Sequence, residues 1–523
     1  MTGARIFLQT FLRRDRWMLL GWAAGAVLLY YSQAVSVDGL YTTQAEFDRA
    51  AASMEHNAAF IAMAGPARAL NSIGGQVTWQ ASAFGAVVAG LMSMFLVGRH
   101  TRAEEESGRD ELVRGASVGR YAPMTAALVT SLLANLLLGL LVALSLWSYP
   151  LALADSLGLG VGLTLCGWFF TGTALVAAQL TASTRSMYGL CGAAMGLAYA
   201  LRAVGDIGYP VLSWLSPIGW YQAMHPFSGL RWWPGLLLLV AAAAAIGAAY
   251  ALFDRRDVGS GLLAARPGPP RAGRGLHGSL GLAWRLQRGS VVGWALGVLF
   301  IGLAYGAIGN DVGDLVGDSQ TSRDLFAQGG ADLLDGFYAT ACLMLALMAC
   351  GFAISSALRP RTEENDGRVD SLLATALTRR DWLLGHTSVT VVGTVAVLVG
   401  AAVGLGAGYA MVTGEPGTAL RLSFPVLQYL PAVLLLSAVA RLLHGMSPRA
   451  ASLAWLPLVL AVVVMFFGDL LRLPQWLQDL SPFEHLALVP AESFRWAPFL
   501  GVLGVALLLS VAGQVAFARR DIR

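Results

Sequence analysis

The 523-residue chain is 56% hydrophobic and only 13% charged, about half the ~25% charge of a soluble globular domain, which excludes an ordinary water-soluble fold. Its net charge of +4 rests on 35 basic residues, every one an arginine. The distribution of those arginines follows membrane orientation, so nucleic acid is not the implied partner.

Apolar stretches near ~20 residues recur along the chain, the length at which a helix crosses ~30 Å of hydrocarbon. Only helices or closed barrels satisfy their backbone there, and these runs lack the period of two that barrel strands would show. In chain order the predicted spans lie near 17–37, 78–98, 123–148, 157–180, 187–204 and 234–253, then 290–308, 334–358, 382–412, 422–440, 450–467 and 496–517. The expected fold is an all-α polytopic membrane protein with twelve transmembrane helices. No small-residue cleavage pattern follows the first span, which is therefore expected to be retained. In this topology the outer loops hold only Arg49, Arg68, Arg202, Arg231, Arg323, Arg421, Arg472 and Arg495. The remaining arginines lie on the inner side, placing both termini in the cytoplasm. Cys166, Cys191, Cys342 and Cys350 fall inside spans without metal-ligand or disulfide spacing and read as small packing residues.

The second half resembles the first at three places in the same order. Arg13-Arg14-Asp15-Arg16 leads into Gly21-Trp22 and Gly25, as Arg285-Leu286-Gln287-Arg288 leads into Gly293-Trp294 and Gly297. After the second span, Arg102, Glu104, Glu105, Gly108, Arg109, Glu111 and Arg120 match Arg361, Glu363, Glu364, Gly367, Arg368, Asp370 and Arg379, each pair 259 positions apart. Near the end of each half, Ser216-Pro217, Arg231-Trp232, Pro234 and Arg255-Arg256-Asp257 match Ser481-Pro482, Arg495-Trp496, Pro498 and Arg519-Arg520-Asp521. Two six-span repeats, 1–257 and 281–523, are expected to lie parallel about an axis along the membrane normal, joined by a Gly-, Pro- and Arg-rich cytoplasmic linker, 258–280.

A Walker A motif needs a lysine to reach nucleotide phosphates, and this chain has none. No Ser/His/Asp arrangement or Cys/His cluster stands out, so neither a catalytic nor a metal site is predicted. The spans are nearly free of charge, which weakens an ion-coupled mechanism. The long acidic loops 99–120 and 359–380 keep one order of charges at one offset. Solvation alone requires no particular order, so a docking role is expected.

Here the chain resembles the ABC-2 type transporter permeases, in the fused form typified by tetronasin-type polyketide antibiotic exporters. The second copy carries the resemblance most fully, in Glu363-Glu364-Asn365-Asp366-Gly367-Arg368-Val369-Asp370-Ser371-Leu372-Leu373, Thr378-Arg379-Arg380 and Leu384-Gly385-His386. The first copy fits at Glu104 to Val113 but lacks the later Leu-Gly, and Ser216-Pro217-Ile218-Gly219-Trp220 and Trp232-Trp233-Pro234 fit as well. The resemblance implies two ABC-2 type repeats whose loops are coupling helices for two copies of a separate ATPase, with ATP and Mg held there and no cofactor on this chain. The lead-ins with Arg13, Arg14, Arg16, Arg285 and Arg288 would be connecting helices at the inner surface of a bacterial inner membrane. Amphiphilic drugs or antibiotics would pass through a cavity lined by Trp79, Phe84, Met92, Phe95, Met187, Met195 and Tyr199, with Phe337, Met344, Met348, Trp455 and Met465 in the second half. The rival is a secondary transporter of the major facilitator class, which shares twelve spans in two halves.

Overall fold

A computed structural model describes residues 3–40, 43–55, 58–109, 115, 117–257, 259–263, 270–271, 273–276, 278–308, 333–467 and 473–520. The described residues are helical or irregular, and eleven of the helices are long and apolar enough to cross a membrane. The chain divides into two compact units, residues 1–268 and 269–523.

In the first unit the helices are α1 (Ala4–Leu40), α2 (Gln44–Glu55), α3 (Ala58–Ala64), α4 (Ile73–His100), α5 (Arg102–Glu106), α6 (Ala122–Ser148), α7 (Leu153–Leu180), α8 (Thr184–Ile207), α9 (Pro210–Ser213), α10 (Pro217–Gln222) and α11 (Trp233–Phe253). The second unit has α12 (Ser279–Ala307), α13 (Leu333–Ala357), α14 (Arg359–Asn365), α15 (Arg368–Leu373), α16 (Arg379–Thr413), α17 (Pro416–Ser423), α18 (Leu430–Met446), α19 (Leu456–Phe467), α20 (Gln475–Gln478) and α21 (Trp496–Arg519).

The two units pack by one scheme. In the first, α1 lies on α6, α4 on α7, and α7 on α11. In the second, α12 lies on α16, α13 on α18, and α18 on α21. The first helix of each unit therefore pairs with the third long helix, the second with the fourth, and the fourth with the last.

What fills the α12/α16 seam is small. A Cβ on Gly404 would lie 2.0 Å from the Leu299 carbonyl oxygen, and one on Gly306 2.1 Å from the Leu405 oxygen. Glycines spaced four apart, Gly302 and Gly306 against Gly400, Gly404 and Gly408, let the two backbones touch, the usual solution where lipid supplies no hydrophobic drive between helices. In the first unit a close approach is made between the first and second long helices. Buried Tyr30 on α1 fills the notch at Gly85 on α4, and its hydroxyl lies 3.3 Å from that of Tyr221 on α10.

Two expectations stand beside what the described helices show. The lead-ins are not separate surface helices: α1 runs unbroken for 37 residues, about 55 Å at 1.5 Å per residue, and α12 for 29. No Gly or Pro interrupts Arg13 to Trp17, so nothing ends the helix there. The stretch near 450–467 forms a 3-10 turn over Ala450–Trp455 and then only the 12-residue α19, shorter than a span among the described residues. The 3-10 turn precedes Pro457, which supplies no backbone N–H.

Candidate coupling loops and cargo-facing residues

After His100 the chain turns at Thr101 and enters the five-residue α5, which carries Glu104, Glu105 and Glu106. Gly108 ends it in the left-handed region, φ +70°, with its N–H on the Glu105 carbonyl at 3.1 Å. In the second unit α14 ends the same way: Gly367 has φ +68° and its N–H meets the Glu364 carbonyl at 3.0 Å. A residue with a Cβ is strained at such a helix end, which explains why Gly108 and Gly367 occupy matching places.

The acids between these landmarks turn inward. Arg256, just beyond α11, grips Glu105 with a two-pronged contact, Nη2 to Oε1 at 2.6 Å and Nη1 to Oε2 at 3.0 Å. Arg102 donates to Glu105 Oε2 at 3.0 Å, and Arg256 Nε donates to Gln179 Oε1 at 2.6 Å. The side chains are almost dry, Glu105 at 8%, Arg102 at 1% and Arg256 at 3% exposure. In the second unit Arg520 Nη2 lies 2.6 Å from both oxygens of Glu364, and His444 Nε2 lies 3.0 Å from Oε2. Glu105 and Glu364, expected to face a partner, are thus partnered by the last helix of their own unit. The closing arginines reinforce this clamp: Arg120 donates to the Phe253 carbonyl at 3.3 Å and Arg379 to the Arg520 carbonyl at 2.8 Å.

The other predicted coupling residues divide by exposure. Glu104 pairs with Arg14 at 2.7 Å, and Glu363 is buried against Arg359 at 2.6 Å and Arg368 at 3.3 Å. Arg109, Arg368 and Asp370 project to the surface. Glu111 lies outside the described residues. In the second loop, Val369 on α15 packs with Trp382, Leu383 and Phe517, seating that loop on the starts and ends of neighbouring helices.

Along the lead-ins, Arg13, Arg16, Arg285 and Arg288 are exposed, and Arg14 reaches Glu104. The residue that fastens each lead-in is the one between them. Asp15 is fully buried against His100, with Arg99 at 3.3 Å. At the matching place Gln287 accepts from Ser356 Oγ at 2.6 Å and lies 3.2 Å from His386 Nδ1. Sequence reasoning had matched Arg256 with Arg520 without assigning them a role; their recurrence beside the last span was the available signal.

Comparison with known proteins gives the relationship. Residues 276–518 match the C-terminal domain family of the multidrug efflux system permease Rv1217c. Over 526 aligned positions the chain is 39% identical to the multidrug efflux system permease protein Rv1217c of Mycobacterium tuberculosis (strain ATCC 25618 / H37Rv), covering 100% of this chain and 96% of that protein. The chain belongs to the Rv1217c family of multidrug efflux permeases.

In this Rv1217c-family member the residues expected to line a cargo cavity fall into two groups. Met92, Met187 and Met195 are buried in the packing of the first unit, while Trp79 donates its indole N–H to the Gly65 carbonyl at 2.7 Å and Tyr199 bonds the Met63 carbonyl. Phe337, Met344 and Met465 are partly buried in the second unit. Only Phe84, Phe95, Met348 and Trp455 present large exposed apolar surface. Phe95 stacks on Trp22 at 6.3 Å, beside an apolar groove of ≈ 490 Å³ lined by Met18, Gly21, Trp22, Gly25, Ala26, Leu29 and Val88. Gly21 and Gly25 leave this face of α1 open.

Proposed function

We propose that the chain is the permease of an ATP-driven multidrug exporter, in which each unit is one six-span, ABC-2 type repeat and each acidic loop seats one of two separate ATPase subunits. Six crossings before each repeat closes would bring both loops to the cytoplasmic face of a bacterial inner membrane, with both termini there. ATP and Mg would be held by the partner. The observation that carries this reading is the clamp built twice: an acid on the loop after the second helix, a left-handed glycine closing the turn, and an arginine from the end of the last helix. Solvated connectors need no such lock. A loop that transmits force into the membrane does, since an unanchored loop would yield instead of moving the helices behind it.

In this reading Arg109, Arg368 and Asp370, the exposed members of the two loops, meet the ATPase, and Glu105 and Glu364 hold the loops in shape. The Rv1217c relative is a multidrug efflux permease by name, which supports amphiphilic drugs or antibiotics as cargo. A major facilitator mechanism is not favoured, because the full-length match is to that permease.

Two measurements test the proposal. The mass of the purified complex should show one copy of this chain with two ATPase subunits; two copies of the chain per functional unit would defeat it. In reconstituted vesicles, efflux should require ATP and survive a protonophore. Efflux that persists without ATP and collapses with the protonophore would establish an ion-coupled carrier.

A further inference from the structure

The end of the first unit remote from Glu105 holds a cavity of ≈ 270 Å³ that the exporter reading does not use. It lies where α8 ends and α11 begins, under the turn from His225 to Arg231. Its lining includes Arg68, Asp206, His225 and Arg231. Asp206 already has partners, Ser213 Oγ at 2.6 Å and Arg202 at 3.7 Å. Arg68 and Arg231 have no side-chain hydrogen bond or ion pair among the described residues. The cavity's one carboxylate, Asp206, attracts Arg68 and is shared with Arg202, so two guanidinium groups face the cavity with less negative charge than they need, an excess that an entering anion would relieve.

The comparable end of the second unit contrasts with this. There Arg421 holds Asp335 through both nitrogens, at 2.7 and 2.9 Å, and its charge is answered within the chain. The rim of the first unit's cavity also carries Trp214 and Trp233, stacked at 5.1 Å and 14° and both exposed. Paired indoles with one apolar face and one wet edge suit the interface between hydrocarbon and headgroups.

We propose that this cavity binds the anionic headgroup of an amphiphile, a phosphate or carboxylate held by Arg68 and Arg231, with its apolar portion against Trp214 and Trp233. Guanidinium groups pair with such oxyanions through parallel N–H bonds, and the indole shelf favours an amphiphile over a free ion.

The full chain, stripped of lipid in detergent, is titrated with phosphatidylglycerol and separately with phosphatidylcholine, and bound lipid is counted by native mass spectrometry. The wild-type chain should take up phosphatidylglycerol at a tight site that phosphatidylcholine does not fill. Arg231→Gln changes an exposed side chain and leaves packing intact; it should weaken that site roughly tenfold or more, the scale of one charged hydrogen bond. Arg68→Lys should retain part of the affinity and Arg68→Gln should not. Inorganic phosphate is the third arm. If millimolar phosphate displaces the lipid, the site is assigned to the phosphate group whatever carries it; if not, the amphiphile is the ligand. Equal phosphatidylglycerol binding by wild type, Arg231→Gln and Arg68→Gln, or equal uptake of the two lipids, overturns the proposal.

Discussion

The two loops share a design and differ in how much charge they bury. Around Glu105 one carboxylate answers two nearly dry arginines, Arg102 and Arg256, with Gln179 holding the second in place. Around Glu364 one carboxylate answers Arg520, which keeps 13% exposure, and a histidine that can be neutral. The lead-ins repeat this contrast, with ionisable Asp15 against His100 in the first unit and neutral Gln287 against His386 in the second. Matching sequence positions thus carry different electrostatic stakes. A buried charge pair is weak evidence for net stability, but removing one member is costly because the other stays dry and unpaired.

The largest expected effect follows from this asymmetry. Glu105→Gln should cost about 3 to 5 kcal/mol in the first unit, since it strands two buried guanidinium groups. Glu364→Gln should cost about 1 to 3 kcal/mol, the range for losing a buried hydrogen-bonded partner. Thermal unfolding in detergent gives the order, and transport in vesicles should follow it. Adding Arg256→Gln to Glu105→Gln should recover part of the loss, which separates a clamp from a site that only meets the ATPase. Sequence resemblance pointed the other way, because the second loop preserves the fuller family pattern. Equal losses, or a larger one at Glu364, would restore that ordering and make partner contact the dominant role of these acids.

Next in size is the seam between the first and third long helices. Gly404→Val introduces branching where even a Cβ would sit 2.0 Å from a backbone oxygen, so α12 and α16 must separate. Overpacking of this kind costs about 1 to 3 kcal/mol, and here the obstacle is backbone, which cannot turn aside. Gly21→Val on α1, with nothing within 4 Å of its Cβ, should leave the unit's melting temperature near wild type. If both substitutions were tolerated, close backbone approach would not be what holds the second unit's seam.

Much of this was legible in the chain itself. Run length pointed to the eleven long apolar helices among the described residues, and the fixed 259-residue offset pointed to both loops. The partners of Glu105 and Glu364 were not legible, because Arg256 and Arg520 stand 151 and 156 residues away and no local pattern links such distances. An acid in a cytoplasmic loop looks solvated until the end of a distant helix is found beside it. Met92, Met187 and Met195, expected at a cargo cavity, are buried in the packing of the first unit. Methionine suits a ligand surface and a tight core equally, and only packing decides between them. Hydropathy alone does not reveal the 3-10 turn ahead of Pro457 that precedes the helix over 456–467.

The smallest expected effect is a pH response confined to the first unit. Burial, aided by Arg68 and Arg231, pushes the His225 imidazole down to about 4. In the unfolded chain the same group takes its proton near pH 6.5. Between those values the unfolded state holds more protons than the folded one, so stability falls as pH drops from about 6.5 to about 4 and levels off below. Above 6.5 both states are neutral and the group contributes no slope. The second unit has Val489 and Pro490 at the matching place, neither of which titrates. Hydrogen exchange over 217–230, corrected for intrinsic rate, should therefore rise between pH 7 and 4.5, while exchange over 486–491, which holds no titratable side chain, should not. His225 has φ +54°, a conformation that asparagine adopts more readily than most residues, so His225→Asn should abolish the pH response without distorting the turn. If the substitution leaves the response unchanged, another group near the cavity is titrating. An anion between Arg68 and Arg231 would neutralise the two charges that help hold His225 down, so phosphatidylglycerol should shrink the response in this unit alone and end it at a higher pH, its onset near 6.5 unchanged.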